Sequence, residues 1–218
     1  MTRINKMGVI AGVALLFVVA GCDDDPAKGA TKVEATAAQP VKAEPAKEAV
    51  KYVFSQDGSK TEFVGAKVTM KHEGSFGAFD GTIQLVDGDP LKSSVSVEIA
   101  MDSLKADSDK LTGHLKSKDF FEVDKYPKAK FTSTAIKAGG EKGATHTVTG
   151  NLEMHGVTKS ITFPATIGVA DESVTVRAEF AINRKDFGVV YPGMPDDLIK
   201  DDILIRLDIA SKKAADPS

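Results

Sequence analysis

The chain has 218 residues, with 28 Lys and Arg against 31 Asp and Glu and a formal net charge of -3. Its single Cys excludes an intramolecular disulfide and a Cys-based zinc site, and the mildly acidic balance argues against a nucleic-acid partner, which calls for a basic face. A hydrophobic content of 42% supports a real core, and the length allows one domain or two small ones.

Residues 1–21 have the layout of an export signal. Arg3 and Lys6 form a basic start, and Met7 to Ala20 is a continuous run of apolar or small residues. A membrane-spanning helix needs roughly 20 such residues, so the run fits a signal-peptide core. It ends in Val19-Ala20-Gly21-Cys22, which resembles a bacterial lipobox. The resemblance implies that Cys22 becomes the acylated N-terminus, with the membrane as a partner through that lipid; an ordinary signal peptide with a chance Cys is the plainer alternative. Several acyl chains hold a protein on a bilayer far more firmly than one. Asp23 follows Cys22, a pattern that in enteric bacteria favours the inner membrane, but the sequence does not choose between inner and outer membrane.

Residues 22–50 are rich in Ala, Lys, Glu, Pro and Thr, and Pro26, Pro40 and Pro45 break helices. The composition predicts a disordered tether whose coil dimension is on the order of 30 Å. Asp23-Asp24-Asp25 fits a solvated acidic start better than a metal site.

From Lys51 the pattern changes to the period-2 alternation of half-buried strands. Near Tyr52–Phe54, Thr61–Met70 and Ala129–Ile136 the candidates are short. Stronger alternation runs through Phe79, Ile83 and Leu85; through Val95, Val97, Ile99 and Met101; through Val148, Leu152 and Met154; through Ile161 to Val169; through Val174 to Ile182; and through Ile203 to Ile209. Turn signals at Asp57-Gly58, Asp87-Gly88, Gly139-Gly140 and Gly156 separate them. Asp107 to Asp119 breaks the pattern: Leu111 and Leu115 stand four apart behind Asp107 or Ser108 as N-cap, predicting one short α-helix. Pro195-Asp196-Asp197 opens like a second helical turn.

An all-β antiparallel domain of eight or nine strands fits a barrel or a sandwich, and strands this long favour the barrel because closure removes their edges. An interior of about eight strands is wide enough for one small ligand. The chain divides into residues 1–21, 22–50, a barrel domain at 51–213 and a tail at 214–218.

Four stretches carry more than alternation: Gly74-Ser75-Phe76-Gly77-Ala78-Phe79-Asp80-Gly81, His114 to Pro127 and on to Phe131, Val148 to Lys159, and Asn183-Arg184-Lys185-Asp186-Phe187-Gly188. In order and spacing, from about Tyr52 to Ser211, they resemble the YceI family of polyisoprenoid-binding periplasmic proteins. The resemblance implies a lipocalin-like barrel whose apolar cavity holds an isoprenoid chain, in an exported protein, and several members of the family behave as homodimers. The family pattern usually has a basic or bulky residue at Glu153-Met154-His155 and often lacks the loop Tyr191 to Asp197.

Eleven Phe and no Trp supply apolar area without a buried N–H to satisfy. Phe63, Phe76, Phe79, Phe120, Phe121, Phe131, Phe163, Phe180 and Phe187 are the candidates for lining the cavity, against the plainer role of core residues. His72 and His114 are candidates for a polar contact at the cavity mouth, or for surface hydrogen bonds. His155 is explained by the turn at Gly156. Arg184 and Asp186, two apart, share a strand face if the strand continues, and either pair with each other or meet a phosphate or quinone head group. The four His lack metal-site spacing, Asp196-Asp197 and Asp201-Asp202 lack calcium-loop spacing, and no catalytic signature is found. No metal and no cofactor beyond the lipid ligand is therefore expected, and no enzyme activity. The sequence points to a lipid-anchored carrier, store or stress-related binder of a polyprenyl phosphate or isoprenoid quinone, facing the periplasm. The rivals are a self-filled barrel acting as an envelope interaction module, and an enzyme on a lipid-linked substrate.

Overall fold

The computed structural model describes residues 25–41, 49–195 and 197–215. The expected signal segment, the acylation position Cys22 and the last residues of the tail lie outside the described residues. Two short strands come first, β1 (Thr31–Val33) and β2 (Thr36–Ala37). The domain then runs β3 (Ala49–Ser55), β4 (Lys60–Ala66), β5 (Lys71–Phe76), β6 (Phe79–Val86), β7 (Asp89–Ala100), β8 (Leu104–Ala106), α1 (Asp109–Lys116), β9 (Lys128–Ala138), β10 (His146–Met154), β11 (Val157–Ala170) and β12 (Ser173–Asn183). It ends with β13 (Gly193–Met194), β14 (Asp197–Leu198), β15 (Asp202–Ala210) and β16 (Lys212–Lys213).

Nearly all strands join one antiparallel sheet in the order β16-β3-β6-β7-β9-β10-β11-β12-β15-β4-β5-β8. The sheet curls back on itself. At Ser211 the chain leaves β12's side, and Lys212 and Lys213 pair with Val53 and Tyr52 of β3. Ser211, 1% exposed, fixes that corner by accepting from Val174 N and donating to Val174 O. This is the expected lipocalin-like barrel. Of its ten longer strands, β5 is the one the alternation missed, because Lys-His-Glu-Gly-Ser-Phe carries too little apolar contrast.

Local sequence accounts for the shape. Met154 and Val157 face each other across His155 and Gly156, whose φ values of 52° and 74° make a two-residue hairpin turn. Asp87 and Gly88, at 54° and 68°, do the same between β6 and β7. Bends come where Gly faces Phe: a Cβ on Gly74 would sit 2.2 Å from the Phe63 ring, and one on Gly150 2.3 Å from Phe131. A register shift at Thr149/Gly150 adds curvature there. Helix α1 is capped as expected by Ser108, whose hydroxyl accepts from Leu111 N at 3.3 Å. The helical turn foreseen at Pro195 is absent: β13 and β14 form a miniature hairpin in its place.

The tether expectation needs correction for residues 25–41. β11 and β12 pair only from Thr166–Arg177 to Ala170–Ser173. Beyond that they part, and the N-terminal segment fills the split. β1 pairs in parallel with Phe180 to Ile182 of β12, and β2 pairs antiparallel with Lys159 and Ser160 of β11. Val33 packs among Ile161, Phe163, Phe180 and Ile182, Lys32 reaches Asp202, and Asn151 both donates to Gln39 O and accepts from Gln39 N. An edge of unpaired backbone groups on each side of the split rewards any extended segment that reaches it.

An apolar cavity and its guarded mouth

Alternation along the barrel strands turns one residue in two inward, and those side chains enclose a cavity of about 270 Å³. Val95, Val97 and Ile99 enter it from β7, Ile161, Phe163 and Ile167 from β11, Val176, Phe180 and Ile182 from β12, and Ile203, Ile205 and Leu207 from β15. At one end Leu111 and Leu115 of α1 and Phe120 and Phe121 of the following loop lean over the space. Seven of the nine anticipated Phe line it: Phe63, Phe76, Phe120, Phe121, Phe131, Phe163 and Phe180. Phe163 and Phe180 stack at 4.4 Å and 13°, with Phe131 tilted against Phe163 at 5.6 Å.

The other two belong to the core. Phe79, 2% exposed, packs with Tyr52 and Ile83, and Phe187, fully buried, packs with Val148 and Ile182. Phe54 lines the cavity and was missed. It sits in β3, which the sequence marks only by the short stretch Tyr52–Phe54.

The polar candidates fare unevenly. His72 lines the mouth and its Nδ1 lies 2.9 Å from Asp107 Oδ2. His114 is not on the cavity wall: its Nε2 lies 3.2 Å from Asp119, and its ring meets Phe120 edge-on at 5.0 Å and Tyr191 at 5.1 Å. Tyr191 in turn lies 5.1 Å from Phe120, so these three rings brace the loops at the mouth. His155 donates from Nδ1 to Phe187 O at 3.2 Å and lies 4.7 Å from Tyr126, in keeping with its turn role.

Arg184 and Asp186 do not form the expected pair. The strand ends at Asn183, whose side chain accepts from Lys185 N at 2.9 Å and starts a tight helical turn over Arg184–Phe187. That turn leaves Asp186 exposed and swings Arg184 inward, to 4% exposure beside the cavity. The guanidinium donates to Val189 O at 2.7 Å, Lys200 O at 3.1 Å, Ile199 O at 3.4 Å and Asp201 Oδ1 at 3.3 Å. Burial pulls its pKa below the usual guanidinium value, and Asp201 pushes back. Asp201, seventeen residues away in sequence, gave no signal. Arg184 therefore ties the 189–201 loop to the barrel end, and four of its five N–H groups are already used.

At the mouth, Lys67 reaches Asp197 at 3.3 Å, which also accepts from Thr69. Burial would raise the Asp197 pKa, but Thr69 and Lys67 outweigh it and hold the carboxyl low. Among the described residues no three His, Cys, Asp or Glu side chains converge as a metal site. What this geometry can do is hold an apolar chain inside and ion-paired groups outside.

The comparisons agree with the fold. The chain is 39% identical to the UPF0312 protein of Pseudomonas putida strain GB-1 over 139 residues, covering 61% of this chain and 71% of that one. It is 39% identical over 155 residues to the UPF0312 protein of Pseudomonas savastanoi pv. phaseolicola, covering 66% and 79%. Among solved structures, Burkholderia cenocepacia BcnA matches with a TM-score of 0.63 at 23% identity, over 72% of this chain and 98% of that one. A polyisoprenoid binding domain from Saccharophagus degradans matches with a TM-score of 0.60 at 14% identity, over 76% and 99%. The YceI-like domain model matches residues 52–211, the span of the barrel and its cavity, and the chain belongs to that family.

Proposed function

We propose that the barrel binds the apolar chain of an isoprenoid lipid, of the polyprenyl phosphate or isoprenoid quinone type, as a carrier or store in the bacterial cell envelope. The observation that carries the reading is the cavity: its wall is mostly aliphatic and aromatic, the uncharged polar lining is Thr61, Ser93 and Ser94, and Lys67, His72 and Arg184 are each paired to a carboxylate. An isoprenoid tail offers only apolar contact, about 0.8 kcal/mol per methylene-sized group buried, so a partly enclosed chain offsets the cost of association. The polyisoprenoid binding domain that shares this fold supports the same class of ligand. An open cavity of about 270 Å³ favours this reading over a barrel filled by its own side chains. Binding of this kind requires no chemistry.

The lipobox-like Val19-Ala20-Gly21-Cys22 supports attachment to the membrane through an acylated Cys22, with the barrel in the periplasm. Labelled fatty acid should enter the wild-type protein and not Cys22→Ser; label persisting in the variant would refute the anchor. The ligand reading is tested by mass spectrometry of lipids extracted from the purified protein, with thermal stabilisation by quinones and prenyl phosphates. A consistently empty protein that none of them stabilises would overturn it.

A further inference from the structure

Five of the most exposed large apolar side chains stand in two adjoining loops. Val68 is 64% exposed and Met70 52% in the β4–β5 turn; Val190 is 62%, Met194 59% and Leu198 50% in the loop between Arg184 and β15. The loops are joined by backbone and side chain. Val68 N donates to Leu198 O at 3.1 Å, Lys67 bridges to Ile199, and Thr69 Oγ1 donates to Asp197 Oδ1 at 3.0 Å. Their bases are cavity wall: Lys67, His72, Val189 and Ile199 all line it. The same two stretches thus present an apolar inner face to the cavity and apolar tips to the outside. Scattered apolar residues on a surface are ordinary, but a cluster around the opening of an apolar cavity marks a contact surface.

We propose that this rim is the face by which the barrel docks on a lipid bilayer, with Val68, Met70, Val190, Met194 and Leu198 entering the acyl boundary. The inference rests on the lipid-binding reading above. Three features favour a bilayer over a protein partner. The apolar groups are tips of turns, which a fluid surface accepts individually, rather than a flat face. The rim adjoins one end of the cavity, sharing Lys67, His72, Val189 and Ile199 with its wall, so a chain passing there between membrane and cavity has a short path through water. The charges nearby are largely balanced, so the rim brings no large charge of either sign to a bilayer: Asp197 is neutralised by Lys67 and Asp201 by Arg184 and Lys185, while exposed Lys71 beside Met70 is matched by exposed Asp186.

The chain has no Trp, so one introduced residue becomes the sole indole reporter. Full-length protein carrying Met194→Trp is reconstituted in phosphatidylethanolamine and phosphatidylglycerol vesicles, with and without brominated acyl chains. Val169→Trp serves as control: Val169 is 42% exposed, in the β11–β12 hairpin, at the opposite end of β12 from Arg184. Quenching several-fold stronger at 194 than at 169, with blue-shifted emission, is the expected result. Equal quenching at the two sites overturns the proposal. Stabilisation by an isoprenoid quinone or a prenyl phosphate in detergent reads the cavity alone. Stabilisation without excess quenching at 194 overturns the rim and keeps the lipid-binding reading; excess quenching without stabilisation supports the rim and overturns that reading.

Discussion

Phe54 lies across Gly81, its paired residue on the neighbouring strand, so closely that a Cβ on Gly81 would sit 2.0 Å from the ring's Cζ. The missing side chain is what lets the ring lie flat against the sheet and join the cavity wall. Phe63 over its partner Gly74 repeats the relationship, and Phe131, paired with Leu152, lies diagonally over Gly150.

Gly81→Ala should therefore cost about 1–3 kcal/mol through forced overpacking. Gly113→Ala, in the exposed middle of α1 with nothing within 4 Å of the new Cβ, should gain about 0.5–1 kcal/mol. Denaturant midpoints of the two variants check the contrast, and a neutral Gly81→Ala would show that the ring moves freely.

Arg184→Ala leaves the carbonyls of Val189, Ile199 and Lys200 without their donor. The expected loss is on the order of 3 kcal/mol. Arg184→Lys should recover little of it, since an ammonium cannot fork to several carbonyls at once. Affinity for a prenyl phosphate and for the matching prenyl alcohol should fall equally. A selective loss for the phosphate would instead support a head-group role for Arg184.

The N-terminal segment should come loose before the barrel does. Val33→Asp places a charge in the Ile161, Phe180, Ile182 cluster, and Asn151→Ala removes both bonds to Gln39. In each variant limited proteolysis should cut within residues 25–41 several-fold faster than in wild type, with the barrel's circular dichroism unchanged. Cleavage at the wild-type rate would argue against a seated segment.

Glu98, on the outer face of the β7–β9 pair, is bonded by Lys128 and lies 3.3 Å from Lys130. These lysines, Lys128 first, hold its pKa below the ordinary 4.5. A carboxylate depressed in the folded state adds stability above its unfolded pKa, and that contribution is lost as pH falls through the folded value. Melting temperatures of wild type and Glu98→Gln should differ above pH 4.5 and converge below it. A gap that persists at low pH would mean the effect is steric.

Much of the fold was legible because strand alternation is written residue by residue. The faces through Val95, Val97 and Ile99 and through Val174 to Ile182 needed no tertiary information, and neither did the Ser108 cap. Two parts were not legible. The polar strand Lys71–Phe76 owes its state to pairing with β4 and β8, and the segment from Thr31 to Ala37 owes its order to a split in a wall far along the chain. Composition predicts disorder for that segment because composition says nothing about a waiting edge.

The same division runs through the site. Sequence alone determined an apolar, Phe-rich barrel with a lone Cys after an export-like segment, since hydrophobic period and residue type are local properties. Which eight Phe line the cavity, why Phe79 and Phe187 do not, and that Arg184 turns to Asp201 rather than Asp186 were decided only by the tertiary structure. Inside a curved sheet, strand register and the point where a strand ends set which way each side chain faces, and both depend on partners that lie elsewhere in the chain.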